Sequence, residues 1–75
     1  MEIRPRISVD PEICHGRPCV AGTRMRVQDI LEALADGATE AEILQDFDFL
    51  AAEDIRACLA FAAEAVGHRI VKAAA

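Results

Sequence analysis

Tryptophan and tyrosine are absent from this chain, and phenylalanine occurs only three times. Much of the 53% hydrophobic content is alanine, so a core has to come from Ile, Leu, Val and a few Phe. That content still excludes a disordered chain. No apolar run approaches the roughly 20 residues that cross a bilayer. The opening MEIRPRISVD holds no hydrophobic signal region. A cytoplasmic protein without membrane association is therefore expected. Cysteine is scarce and odd in number, three in all, which argues against a disulfide framework. Cys14 and Cys19 are too far apart for a zinc knuckle, and His15 and His68 are the only histidines. The cysteines read as small hydrophobes rather than as metal ligands. Neither a G-x-G-x-x-G nor a Gly-Lys-Ser/Thr element is present, so Gly16 and Gly22 make no phosphate loop. No Ser/His/Asp or Cys/His arrangement has a supporting motif, and the adjacency of Cys14 and His15 does not define a dyad. A non-enzyme without metal or cofactor is the expectation.

What is there is small and unevenly charged. The 75 residues make one domain, of a size that hides only about 60% of the unfolded chain's surface. Association into a homodimer or a larger assembly is the usual remedy. Residues 1–26 hold five Arg against three acids, net +2, and residues 27–75 hold three basic residues against ten acids, net −7. An acidic body with a basic end suits a protein that neutralises a basic partner, with DNA contact confined to one edge.

The stretch Ser8–Val27 organises the rest. Before it, Ile3, Pro5, Ile7 and Val9 alternate with Arg4, Arg6 and Ser8, the period of a β-strand with one buried face. Asp10-Pro11 makes a turn. Pro18–Val20 and Arg24–Arg26 read as two short strands linked at Gly22 into a hairpin, with Met25 and Val27 facing inward. A first helix is predicted from about Val27 to Asp36 with Val27, Ile30, Leu31 and Leu34 as its stripe, stopped by Gly37. Thr39 and Glu42 form a capping box for a second helix whose core side is Ile43, Leu44 and Phe47. A third runs from about Ala52 to Val66, burying Ile55, Cys58, Leu59, Ala62 and Val66; Glu53 and Asp54 suit the dipole of its first turn, and its cap is weak. The fold expected is mostly α: a three-helix helix-turn-helix bundle, homeodomain-like or winged-helix-like, over residues 27–67. A short N-terminal β element over 1–26 precedes it and a basic tail over 68–75 follows.

Arg17, Arg24 and Arg26 are candidates for phosphate contacts along the outer face of the hairpin. The structural alternative is that they hold the hairpin itself, and for Arg24 that reading is preferred. In the third helix Arg56 is positioned to reach a base, although Glu53 and Asp54 beside it repel phosphate. Asp29, Glu32, Asp36, Glu40, Glu42, Asp46, Asp48, Glu53 and Asp54 read as solvated helix faces. The tail pairs apolar Val66, Ile70 and Val71 with His68, Arg69 and Lys72. It is either a frayed helix end or a segment that docks on an acidic cleft.

Ile7–Pro11, Gly16-Arg17-Pro18, Gly22-Thr23-Arg24, Val27, Glu53-Asp54-Ile55 and Leu59–Ala62 together resemble the small bacterial family named domain of unknown function 433, over nearly the whole chain. The resemblance implies a helix-turn-helix fold behind a β element and a VapB-type antitoxin role in a type II toxin–antitoxin pair. The partner it implies is a PIN-like ribonuclease toxin, which the antitoxin blocks by direct contact; the tail residues Val66, Arg69, Ile70 and Lys72, read above as a docking segment, are the toxin-binding candidates. It also implies operator DNA binding for autoregulation. The reading from a different class is a stand-alone helix-turn-helix transcriptional regulator.

Overall fold

The computed structural model describes residues 1–67. Three antiparallel strands, β1 (Glu2–Arg4), β2 (Ile7–Ser8) and β3 (Cys19–Val20), form a sheet in the order β1-β2-β3. Three helices follow: α1 (Val27–Ala35), α2 (Glu40–Asp46) and α3 (Ala52–Val66). The chain is thus a small mixed domain.

The alternation over Ile3–Val9 does not make one strand. Pro5 and Arg6 turn the chain, so that Glu2 pairs with Ser8 and Arg4 with Ile7. Arg6 adopts φ = 72°, a region that costs a residue with a Cβ roughly 1–2 kcal/mol. Three contacts hold it there. Its N–H donates to Glu2 Oε2 at 2.9 Å, its carbonyl accepts from Ala21 N–H at 2.7 Å, and its Nη1 donates to Asp54 Oδ1 at 2.8 Å. Strain of this kind persists only where neighbours over-determine it.

The second β element is also corrected. Cys19 and Val20 pair with Ser8 and Ile7 of β2. The expected partner strand at Arg24–Arg26 is reduced to a bridge between Cys19 and Arg26. The link keeps its turn: Gly22 has φ = 80°. Thr23 Oγ1 closes it by donating to the Val20 carbonyl and accepting from Met25 N–H, both at 2.9 Å.

The helices begin and end where local chemistry directs. α1 stops before Gly37 at φ = 103°. The α2 capping box is complete: Thr39 Oγ1 accepts from Glu42 N–H at 3.1 Å, and Glu42 Oε1 accepts from Thr39 N–H at 2.9 Å. At α3 the N-cap is Ala51, which has no polar side chain. Asp54 fills the gap, its Oδ2 accepting from Ala51 N–H at 2.9 Å while its own N–H donates to the Ala51 carbonyl. Gly67 ends α3 in the left-handed region.

One core joins both layers: Ile7 and Val20 from the sheet, Val27 and Ile30 from α1, Ile43 from α2, Leu50 from the α2–α3 link, and Ile55 and Cys58 from α3. Several residues expected to face the core do not, Ile3 at 46% exposed among them. Phe47 lies one residue past the end of α2, where the helical period no longer aims it inward, and is 37% exposed. Leu59 is 45% and Val66 75% exposed: α3 outruns the partners that cover it. Arg4 pairs with Glu64 and ties β1 to this outer half of α3.

Candidate functional site

Of the four candidate arginines the structure brings Arg17 and Arg26 to one hollow and leaves Arg24 and Arg56 outside it. Arg26, just before α1, grips Asp29 with two bonds, Nε to Oδ2 at 3.1 Å and Nη2 to Oδ1 at 2.7 Å. That carboxylate raises the pKa of the guanidinium above its ordinary value and uses the donors a phosphate would need. Arg17 is exposed, its Nη1 lying 3.4 Å from Gln28 Oε1. Arg17 and Arg26 meet at a hollow of about 190 Å³ with Val27, Leu31 and Phe61. Arg56 stands exposed on α3 and lines neither this hollow nor the groove described below.

Arg24 rims a broader groove of about 530 Å³ formed with Gly22, Thr23, Met25, Phe47 and Phe49. Phe49 is 56% exposed and meets Phe47 edge to face, ring centroids 6.1 Å apart. Among the described residues the Arg24 guanidinium makes no hydrogen bond or ion pair; its carbonyl accepts from the Cys14 thiol at 3.2 Å. Arg24 therefore does not hold the turn through its side chain, as the preferred structural reading has it. Thr23 does that instead. No signal in the sequence marked the aromatic groove, because Phe47 fits the helical period and Phe49 sits in a short link.

Sequence reasoning also missed the role of Asp54. It is buried rather than solvated. It both caps α3 and binds Arg6, 48 positions earlier. Its charge is thereby answered, leaving Glu53 as the exposed acid at the start of α3.

Cys19 and Cys58 are buried as expected, and Cys14 is half-buried. Burial pushes both buried thiols up from 9.0 to about 11, with help from the neighbouring Cys14 thiol at Cys19 and from the Asp54 charge at Cys58. In the unfolded chain they ionise near 9.0; in the folded chain they stay neutral until about 11. Their contribution to stability is thus whole below pH 9 and lost as pH rises from 9 to 11. Thermal melts across that window are expected to fall steadily, and a Cys19→Ala/Cys58→Ala variant to show a shallower slope. Among the described residues no group of three or more His, Cys, Asp and Glu is arranged to hold a metal ion, and no helix is long and apolar enough to cross a membrane.

The outer half of α3 is the other exposed apolar feature. Leu59, Ala63 and Val66 recur at helical spacing and all face solvent. Of the remaining candidates, Arg69, Ile70 and Lys72 lie outside the described residues.

The model of the family described as protein of unknown function, DUF433, matches residues 7–62. The chain belongs to the DUF433 family. Its matched region begins at β2 and ends within α3, so β1 and the last turn of α3 lie outside the match. A crystal structure of a DUF433 member protein from Anabaena variabilis ATCC 29413 superposes with a TM-score of 0.77 at 26% identity, covering 81% of this chain and 60% of that one. This DUF433 chain thus spans about 60% of the length of that relative. No curated protein matches it.

Proposed function

We propose that this DUF433 chain is an antitoxin-like protein of a type II toxin–antitoxin pair that binds and inhibits a PIN-like ribonuclease, and binds operator DNA for autoregulation. α3 carries the reading. It presents Leu59, Ala63 and Val66 to solvent on a helix already fixed at its other end by Asp54 and Ile55. A preformed helix with an uncovered apolar stripe suits insertion into a groove of a partner. The acidic body that flanks it, net −7 over residues 27–75, complements a basic surface around an RNA-cleaving site.

The test is co-expression with a PIN-like ribonuclease encoded beside this gene, followed by pull-down and an RNA-cleavage assay. The complex is expected to form and cleavage to stop. A Leu59→Asp/Val66→Asp variant, altered only at exposed positions, is expected to keep its fold and weaken inhibition by at least about tenfold, the scale of one interface anchor. No complex and unimpeded cleavage by the wild-type mixture would remove the reading.

A second reading rests on Arg56. In it α2 and α3 act as a helix-turn-helix pair and the chain is a stand-alone DNA-binding regulator. Arg56 is exposed near the start of α3, and Arg6 neutralises one of the two acids that would repel phosphate there. Such binding would weaken steeply with salt.

A further inference from the structure

The loop between the 3₁₀ turn Cys14–Gly16 and β3 brings together two thiols that the antitoxin reading does not use. The Cys14 thiol donates to the Arg24 carbonyl at 3.2 Å. Cys19 faces Arg26 across the isolated β bridge. Both cysteines therefore lie against the same stretch, Arg24–Arg26. The loop also closes on itself: Arg17 N–H donates to the Cys14 carbonyl at 3.0 Å, and the Cys19 thiol donates to the Arg17 carbonyl at 3.5 Å. The two sulfurs are neighbours, and the Cys14 thiol bears directly on the ionisation of Cys19. Cys58 stands apart, in the core cluster that holds neither of them. The loop is strained as well. Cys14 at φ = 53° and His15 at φ = 58° are consecutive non-glycine residues in the left-handed region, followed by Gly16 at φ = 81°. Strain of this kind concentrates at working sites, and here the tight curl it makes carries the chain back so that Cys19 returns beside Cys14.

We propose that Cys14 and Cys19 are a reversible thiol–disulfide pair oxidised by a peroxide, with Cys14 attacking first and Cys19 resolving. The deprotonated Cys14 sulfur attacks one peroxide oxygen. An S–O bond forms, the O–O bond breaks, and the leaving oxygen departs as water after taking up a proton. The Cys19 sulfur then attacks the Cys14 sulfenic acid. The S–S bond forms, the S–O bond breaks, and the hydroxyl leaves as water with the Cys19 proton. Two thiols thus give up two electrons to one peroxide, and two waters result. Oxidation-sensitive cysteines are accessible and have a resolving cysteine beside them. Cys14 is half-buried and Cys19 is 2% exposed, which sets the order of the two roles. Burial keeps the Cys19 thiol protonated near neutral pH, so it does not compete for peroxide, and its place beside Cys14 supplies what burial takes from its reactivity. The bond would lock the loop that carries Arg17 and remove the thiol donor from the Arg24 carbonyl.

The reduced full chain is treated with hydrogen peroxide, denatured in an alkylating reagent and mapped by mass spectrometry, with Cys14→Ser and Cys19→Ser in parallel and circular dichroism as the check on folding. The wild type is expected to lose the mass of two hydrogens, to keep Cys58 as its one alkylated thiol, and to recover all three thiols in dithiothreitol. Cys19→Ser is expected to stop at a Cys14 sulfenic acid that dimedone traps, and Cys14→Ser to trap none. Two cysteines five positions apart also meet by chance in an unfolded chain. The same bond is therefore equilibrated in a glutathione buffer with and without urea. The folded chain is expected to favour the disulfide by at least about tenfold over the unfolded one. Three free thiols after peroxide overturn the proposal. So does a bond that involves Cys58 or joins two chains, or a folded chain that holds the disulfide no better than in urea. No toxin enters these measurements and Leu59 and Val66 are untouched, so failure here leaves the α3 reading standing, and failure of that reading leaves the thiol pair standing.

Discussion

Replacing Asp54 by alanine is expected to destabilise the chain by about 2–5 kcal/mol. Two losses add. The Ala51 N–H loses its only side-chain acceptor, and losing a cap costs roughly 0.5–2 kcal/mol. The charge-assisted bond from Arg6 at 2.8 Å also goes, where a hydrogen bond to a charged group contributes about 1.5–3 kcal/mol. The sheet and α3 are joined polar-to-polar at this point, so the effect reaches beyond the helix end. Urea denaturation of wild type, Asp54→Ala, Asp54→Asn and Arg6→Ala separates the parts. Asp54→Asn keeps one oxygen and is expected to fall between wild type and Asp54→Ala. Arg6→Gly is the informative companion: glycine takes φ = 72° without strain, so it should cost less than Arg6→Ala although both lose the same bond. Equal losses for all variants at the two positions would show that the pair is not what fixes α3 to the sheet.

Ile55→Ala is expected to cost about 2–5 kcal/mol, the range for removing a large buried aliphatic side chain. Ile55 is 0% exposed and follows Asp54 directly, in a core that also receives Ile7 and Val20 from the sheet and Ile30 from α1. With total stabilities of small domains near 5–15 kcal/mol, that loss is a large share of the whole, and the variant should melt well below wild type. Leu59→Ala, four residues on and 45% exposed, should change stability little. A thermal melt of both gives the contrast; similar melting points would mean that α3 does not bury the face described here.

The helices were legible because their signals are local. Thr39 and Glu42 specify the start of α2 from four residues, and Gly37 and Gly67 mark the ends of α1 and α3. The sheet was not. Pro5 suits the first corner of a turn, but Arg6 stands at the φ > 0 corner where Gly or Asn would announce one. Its positive φ is enforced by Glu2, Ala21 and Asp54 rather than by residue type. Asp54 looked like a dipole-stabilising acid because its first-turn position is local while its arginine partner is not. Phe47 kept the spacing of a core residue past the point where α2 had ended. The candidate arginines were legible as a set, yet which of them keep free donors depended on contacts: Asp29 holds Arg26, and nothing described holds Arg24 or Arg56. The groove at Phe47 and Phe49 and the stripe on α3 became visible only once the core was closed without them.

The account stands or falls on the outer half of α3 as a surface for seizing a ribonuclease. Its direct measurement is RNA cleavage by the proposed PIN-like partner titrated with this chain and with the Leu59→Asp/Val66→Asp variant. The expected result is stoichiometric inhibition by the wild type and a rightward shift of at least about tenfold for the variant. Cleavage that continues unchanged at excess wild-type chain, alongside salt-sensitive binding to operator DNA, would contradict it and leave the regulator in its place.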